Sequence, residues 1–210
     1  MYKNVLTINR QVLQQQGIPK KACGLYPFDI YSVDVAEFQF IHRKIVDDPE
    51  QKYFKTATQF PQLLVYCVIT HQDKVLTYSR SKGTESQLQK HRSIGFGGHA
   101  DLMDYHQLYS TQTTEPTPVE VLNHALYREL HEELGLSVEE LPKYEKVVVD
   151  VTNAVGAVHI GLVHQLHIDN ITDISVNLAE IADPQWKTIE ELKKDMDQYE
   201  TWSQLLIQDF

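Results

Sequence analysis

Apolar residues fall into two rhythms along the chain. Residues 62–70 (Gln-Leu-Leu-Val-Tyr-Cys-Val-Ile-Thr) form a near-continuous apolar run. Such a run marks a strand buried on both faces. His71, Gln72 and Asp73 turn the chain and residues 74–80 return it, a hairpin signal. Residues 146–151 read as another strand. In 158–168 the apolar positions Val158, Ile160, Leu162, Leu166 and Ile168 share one face. Between these strands the period changes: Leu122, Leu126, Leu130 and Leu134 recur every four residues and predict an amphipathic helix. Thr117-Pro118-Val119-Glu120 has the form of a capping box with proline at the first helical position. Gly135 stands where a left-handed C-terminal residue is usual. The helix should run over 118–134.

The remaining segments are less regular. Residues 5–8 suit a short strand and 10–16 a helix ending at Gly17. Residues 20–28 read as loop, and 33–41 fit either strand or helix. Residues 93–96 lead into Gly97-Gly98-His99. The stretch 101–116 is polar and reads as a surface loop, and 170–182 reads as loop or sheet edge. Two terminal helices are expected over 189–196 and 199–207. Strands, a long helix, more strands and terminal helices together predict an α/β (α+β) sandwich. The main domain is expected at 59–210. Residues 1–58 read as an N-terminal extension, in which Tyr26, Phe28, Tyr31, Phe38 and Phe40 argue for packing on that domain or on a second subunit.

Composition narrows the function classes. A net charge of −10 argues against broad binding to nucleic acid or anionic membrane. No apolar run nears the length of a membrane span, and no signal-like leader is read at the N-terminus. A cytoplasmic protein is expected. Cys23 and Cys67 make no disulfide framework, and Cys67 reads as a buried small hydrophobe.

The chemistry gathers on the predicted helix. Glu129, Glu132 and Glu133 stand at i, i+3 and i+4, so they share one face. Uncompensated, such carboxylates repel by a few tenths of a kcal/mol (about 0.2–0.5). Three at this spacing suit a hard divalent cation, which takes oxygen ligands. Glu120, seven residues, then Arg128-Glu129-Leu130-His131-Glu132-Glu133-Leu134-Gly135-Leu136 resembles the Nudix box at every specified position from Glu120 onward. The box's opening glycine falls instead on Thr114, so the matching glycine is Gly98, and about 101–116 is an insertion.

What the resemblance implies is a Nudix-like α/β/α sandwich with a mixed sheet. It also implies hydrolysis of a diphosphate linkage in a phosphorylated small molecule, using Mg²⁺ or Mn²⁺. The implied metal ligands are Glu129 and Glu133, Glu132 directly or through water, and a backbone carbonyl at Gly97 or Gly98. Arg128 would orient the carboxylates. Glu120 suits either a supporting role near the metal or the helix cap alone. In detail the chain is similar to a bacterial Nudix subgroup known only as predicted phosphoesterases.

The general base stays open among Glu180, Asp183 and the pair Asp150 and Asn153. His99 and Arg80 are candidates to touch substrate phosphate, with Lys82, Lys90, His91 and Arg92 as a neighbouring basic surface. His159, His164 and His167 differ in strand parity, so no metal cluster is read there. Two rivals share the fold. A catalytically silent sensor or scaffold would ordinarily lose box carboxylates, and all are present. A diphosphate isomerase would need a cysteine near the glycine turn. A homodimer is expected from the aromatic-rich N-terminal segment.

Overall fold

The computed structural model describes residues 4–47, 53–80 and 91–210, with all their side chains except those of Phe54, Arg80 and Glu145. The sheet is built on β4 (Gln62–His71). It returns through a two-residue turn, with Gln72 at φ 53°, into β5 (Lys74–Arg80). On its other side β4 runs parallel to β9 (His159–His167), in register from Gln62 opposite His159 to Thr70 opposite His167. β8 (Tyr144–Asp150), β2 (Cys23–Tyr26) and β10 (Ile181–Thr188) complete the order β10-β5-β4-β9-β8-β2. Among the described residues the other strand pairs are antiparallel, so the sheet is mixed.

The apolar run of β4 is explained by burial on both sides. Val65, Cys67 and Ile69 face a core shared with α1 (Arg10–Gln15) and α5 (Pro118–Leu134). Tyr66 and Val68 face a second core closed by Leu192 of α6 (Ile189–Lys194) and by Leu206 and Ile207 of α7 (Thr201–Asp209). Helices thus cover both faces. Leu126, Leu130 and Leu134 of α5 are fully buried and Leu122 nearly so. Each such side chain contributes roughly 1.5–3 kcal/mol against exposure, which fastens the helix and leaves its opposite face to the cleft.

The N-terminal residues join the same sheet. β1 (Asn4–Ile8) pairs with β3 (Phe38–His42) and meets β4 at Thr7 opposite Gln62. Short β6 (Arg92–Ser93) and β7 (Gly95–Phe96) pair with β5 and β4 and deliver the chain to Gly97. Helices α2 (Arg43–Val46) and α3 (Phe54–Gln59) pack beside them.

Two expectations are corrected, and the sheet edge expected up to 182 extends further. Residues 20–28 contain a strand, β2, paired with β8 from Cys23 opposite Asp150 to Tyr26 opposite Val147. It is a short edge strand, too brief to show alternation. Residues 181–188 form β10, whose pattern is broken by a bulge between Ala182 and Gln185 with Asp183 at φ 48° and Pro184 between them. Proline is tolerated there because this is the sheet edge. The stretch 101–116 is not simply a loop, because it holds helix α4 (Leu102–Thr111). Asp101 caps it by accepting from the Met103 and Asp104 N–H groups, and Asp104 returns the bond to the Asp101 N–H.

Candidate active site

The charged face of α5 meets the glycine turn across a cleft of about 570 Å³. Its walls there are Gly97, Gly98, His99, Arg128, Glu129 and Glu133. Helix α5 is aimed by its ends. Thr117 Oγ1 accepts from the Glu120 N–H, Glu120 Oε2 accepts from the Thr117 N–H at 2.7 Å, and Gly135 sits at φ 64°. The bonds to Thr117 hold the exposed Glu120 carboxyl below its ordinary range. Glu120 therefore serves the cap, and it is not among the residues lining the cleft.

Both glycines are required by close approach. Gly97 has φ 139°, and a Cβ there would lie 2.2 Å from the Val65 carbonyl oxygen. Its N–H donates to Glu133 Oε2 at 2.9 Å. A Cβ on Gly98 would lie 2.4 Å from Glu129 Oε1. The carboxylates can close on this turn only because side chains are missing from it. The Gly98 carbonyl accepts from the Val65 N–H at 3.0 Å, which uses one of its two lone pairs.

Arg128 binds the carboxylate face together. Its Nη1 donates to Glu129 Oε1 at 2.8 Å and to Glu132 Oε2 at 3.3 Å, and its Nη2 donates to the His99 carbonyl at 3.1 Å. The remaining edge meets Asp104, with Nε to Oδ1 at 2.8 Å and Nη2 to Oδ2 at 3.1 Å. Burial pushes the Asp104 carboxyl up, but the Arg128 bonds prevail and hold it below its ordinary value. Burial also pushes the Glu129 carboxyl up. The Arg128 charge only partly offsets this, so Glu129 stays raised. Glu133 is buried, whereas the Glu132 side chain is 52% exposed.

Among the described residues, no group of three or more His, Cys, Asp or Glu side chains is placed to hold a metal ion. What the cleft does bring together is two carboxylates, Glu129 and Glu133, beside the glycine turn. That chemistry suits Mg²⁺ or Mn²⁺, which keep several waters and bind through one or two carboxylates.

The chain is 32% identical over 154 residues to Protein YmaB of Bacillus subtilis (strain 168), a match spanning 71% of this chain and 70% of that protein. No family model matches the chain. Its fold superposes on Tm1382, a candidate Nudix hydrolase, with a TM-score of 0.67 at 21% identity, covering 99% of this chain and 100% of that one. The chain belongs to the family of Protein YmaB and has the Nudix fold. A second fold neighbour is DR0079 of Deinococcus radiodurans, with a TM-score of 0.50 and 16% identity over 70% of this chain and 82% of that one.

Within this Nudix fold the other candidates separate. Asp150 is fully buried, and its carboxylate is filled by Thr152 and Asn153 at 2.5–2.9 Å, so it holds the loop. Asp183 is taken by Arg92 at 2.6 Å and by Gln185. The same contacts, with Thr77 Oγ1 at 2.7 Å, tie Arg92 to the sheet rather than to the cleft. Glu180 remains at the exposed rim of the cleft. His91 and His99 line it too. The Arg80 side chain, and Lys82 and Lys90, lie outside the described residues.

His99 Nε2 stands 3.3 Å from His159 Nε2. His159 Nδ1 donates to the Val155 carbonyl at 2.7 Å, and Gln62 Nε2 donates to His159 Nε2 at 2.9 Å and to Asp47 at 2.7 Å. His159 thus stands behind His99, held by Gln62 and the Val155 carbonyl. His164 turns away to the Pro142 carbonyl and His167 approaches Thr70, so the three strand histidines do not converge.

Sequence reading missed Asp104. The signal was present as Asp101-Leu102-Met103-Asp104, two acidic residues at capping-box spacing. It lay in a segment whose other residues read as polar loop.

Proposed function

We propose that the chain is a hydrolase that cleaves a diphosphate linkage in a nucleoside diphosphate derivative or a related phosphorylated small molecule, with Mg²⁺ or Mn²⁺. The observation that carries this reading is the closure of half-buried Glu129 and buried Glu133 on the Gly97-Gly98 turn, inside a cleft, with Arg128 holding Glu129. Glu129 and Glu133 would hold the ion, with a glycine-turn carbonyl at Gly98 or Gly97 and with Glu132 through water. When bound, such an ion neutralises charge on non-bridging phosphate oxygens and lowers the pKa of a bound water.

The chain's own residues supply position. Arg128 holds Glu129 and ties it to the backbone of His99, so the carboxylate and the glycine turn move as one unit. His99 contacts substrate phosphate in this reading. Glu180 at the rim is our choice for the residue that takes a proton from the attacking water. Cys67 is fully buried, and burial pushes its thiol well above the ordinary range, which disfavours an isomerase that needs a thiol. We place the protein in the cytoplasm, acting on a small molecule and not on nucleic acid or membrane, and as a homodimer that light scattering would reveal. Among the described residues no helix is long and apolar enough to cross a membrane.

The test is a substrate panel with and without Mg²⁺: nucleoside triphosphates, nucleotide sugars, dinucleoside polyphosphates, NADH and non-nucleotide diphosphates. Metal-dependent release of a phosphorylated product supports the reading. Tight metal-independent binding of one compound without turnover overturns it in favour of a sensor.

A further inference from the structure

Arg128 is gripped from outside the helix that carries it. Two parallel bonds, at 2.8 and 3.1 Å, join its Nε and Nη2 to the two oxygens of Asp104. Asp104 is 1% exposed and lies in the first turn of α4, within the inserted segment. It is itself fixed, because the Asp101 N–H donates to Oδ2 at 2.9 Å and His124 Nδ1 donates to Oδ1 at 3.0 Å. The free edge of the guanidinium then reaches Glu129, Glu132 and the His99 carbonyl.

We propose that Asp104 is a positioning residue of this site: its two-pronged hold sets the plane of Arg128 and, through it, the place of Glu129. A planar guanidinium held by one bond can swing about it, whereas one held by two parallel bonds cannot. The Arg128 side chain is 20% exposed, so without Asp104 it can turn towards water and leave Glu129 without its fixed partner. The inserted segment thereby becomes part of the active-site scaffold. This rests on the metal-binding reading above and adds to it a residue outside the family motif.

The test is Mn²⁺ titration followed by electron paramagnetic resonance. The proteins are wild type, Glu133→Gln, Asp104→Asn, Arg128→Gln and the double variant Asp104→Asn/Arg128→Gln. Wild type should bind Mn²⁺ in a way that Glu133→Gln weakens. Asp104→Asn should weaken binding about 10- to 100-fold, as supporting partners of metal ligands do. In the Arg128→Gln background the same change should cost almost nothing more, because Asp104 acts through Arg128. Unchanged affinity in Asp104→Asn, or an equal further loss in the Arg128→Gln background, overturns the proposal and leaves the metal site standing. Absence of Glu133-dependent Mn²⁺ binding in wild type overturns the metal reading itself. Should Asp104→Asn not fold, Asp104→Glu keeps the charge but moves the carboxylate by one methylene. It should also lose affinity, and wild-type affinity there overturns the proposal.

Discussion

Replacing Gly98 with alanine puts a methyl group 2.4 Å from Glu129 Oε1 and 2.9 Å from Glu129 Cδ. Ordinary contact begins near 3.4 Å, so the carboxylate must retreat by about 1 Å, the difference of those two distances. The end of a glutamate side chain can make that move, and Gly98 has no positive φ. Stability should therefore fall by less than about 1 kcal/mol. Activity should not be spared. A misplacement of about 1 Å can cost about 100-fold, which is roughly 2.7 kcal/mol of barrier. Gly97→Ala is the contrast. Its methyl would lie 2.2 Å from the Val65 carbonyl oxygen, a backbone atom of the central strand, and φ is 139°. Backbone strain of this kind alone costs about 1–3 kcal/mol, and here the neighbour cannot yield. Urea unfolding of both variants, beside Mg²⁺-dependent turnover on the best substrate from the panel, reads the two effects separately. The reasoning is refuted if Gly98→Ala loses as much stability as Gly97→Ala, or if it keeps full turnover.

The remaining predictions concern the scaffold. Leu130→Ala removes a fully buried anchor of α5 and should lower the unfolding free energy by about 2–5 kcal/mol, and a loss below about 0.5 kcal/mol in urea would contradict the packing described. Thr117→Ala should cost about 1 kcal/mol through the lost cap while leaving kcat unchanged, since Thr117 does not line the cleft. The folded pKa of Asp104 is depressed below its ordinary 3.8, so the stability it contributes is complete above that value and is lost as pH falls through the folded pKa. The gap in Tm between wild type and Asp104→Asn should thus be widest near neutral pH and close in acid. A gap that stays constant down to about pH 3 would show that the charge is not what stabilises.

Much of the fold was legible because its signals were local and redundant. The caps, proline and glycine of α5 agreed with its leucine period, and the structure places that helix over the same residues, 118–134. The β4–β5 hairpin was equally clear, since a strand buried on both faces leaves an unbroken apolar run. Edge strands β2 and β10 were not. β2 has only four residues, and the bulge with Pro184 hides the period of β10. The carboxylates of the box could be named from spacing, but what holds them could not. Asp104 is brought to Arg128 by the packing of α4 against α5, a contact across 24 residues that no window of sequence displays. The closeness of Gly98 to Glu129, 31 positions along the chain, is likewise a fact of tertiary structure.

The most direct test of the central claim is turnover of the best panel substrate by wild type and by Glu133→Gln, each titrated with Mg²⁺. Glu133 is buried and fixed by the Gly97 N–H, and Gln retains its shape while removing its charge. Losing a ligand that serves several kcal/mol of transition-state stabilisation should lower kcat by roughly 100-fold or more and demand more Mg²⁺ for half-saturation. Wild-type turnover with unchanged Mg²⁺ dependence in the variant would contradict the account, because the chemistry would then lie elsewhere in the cleft.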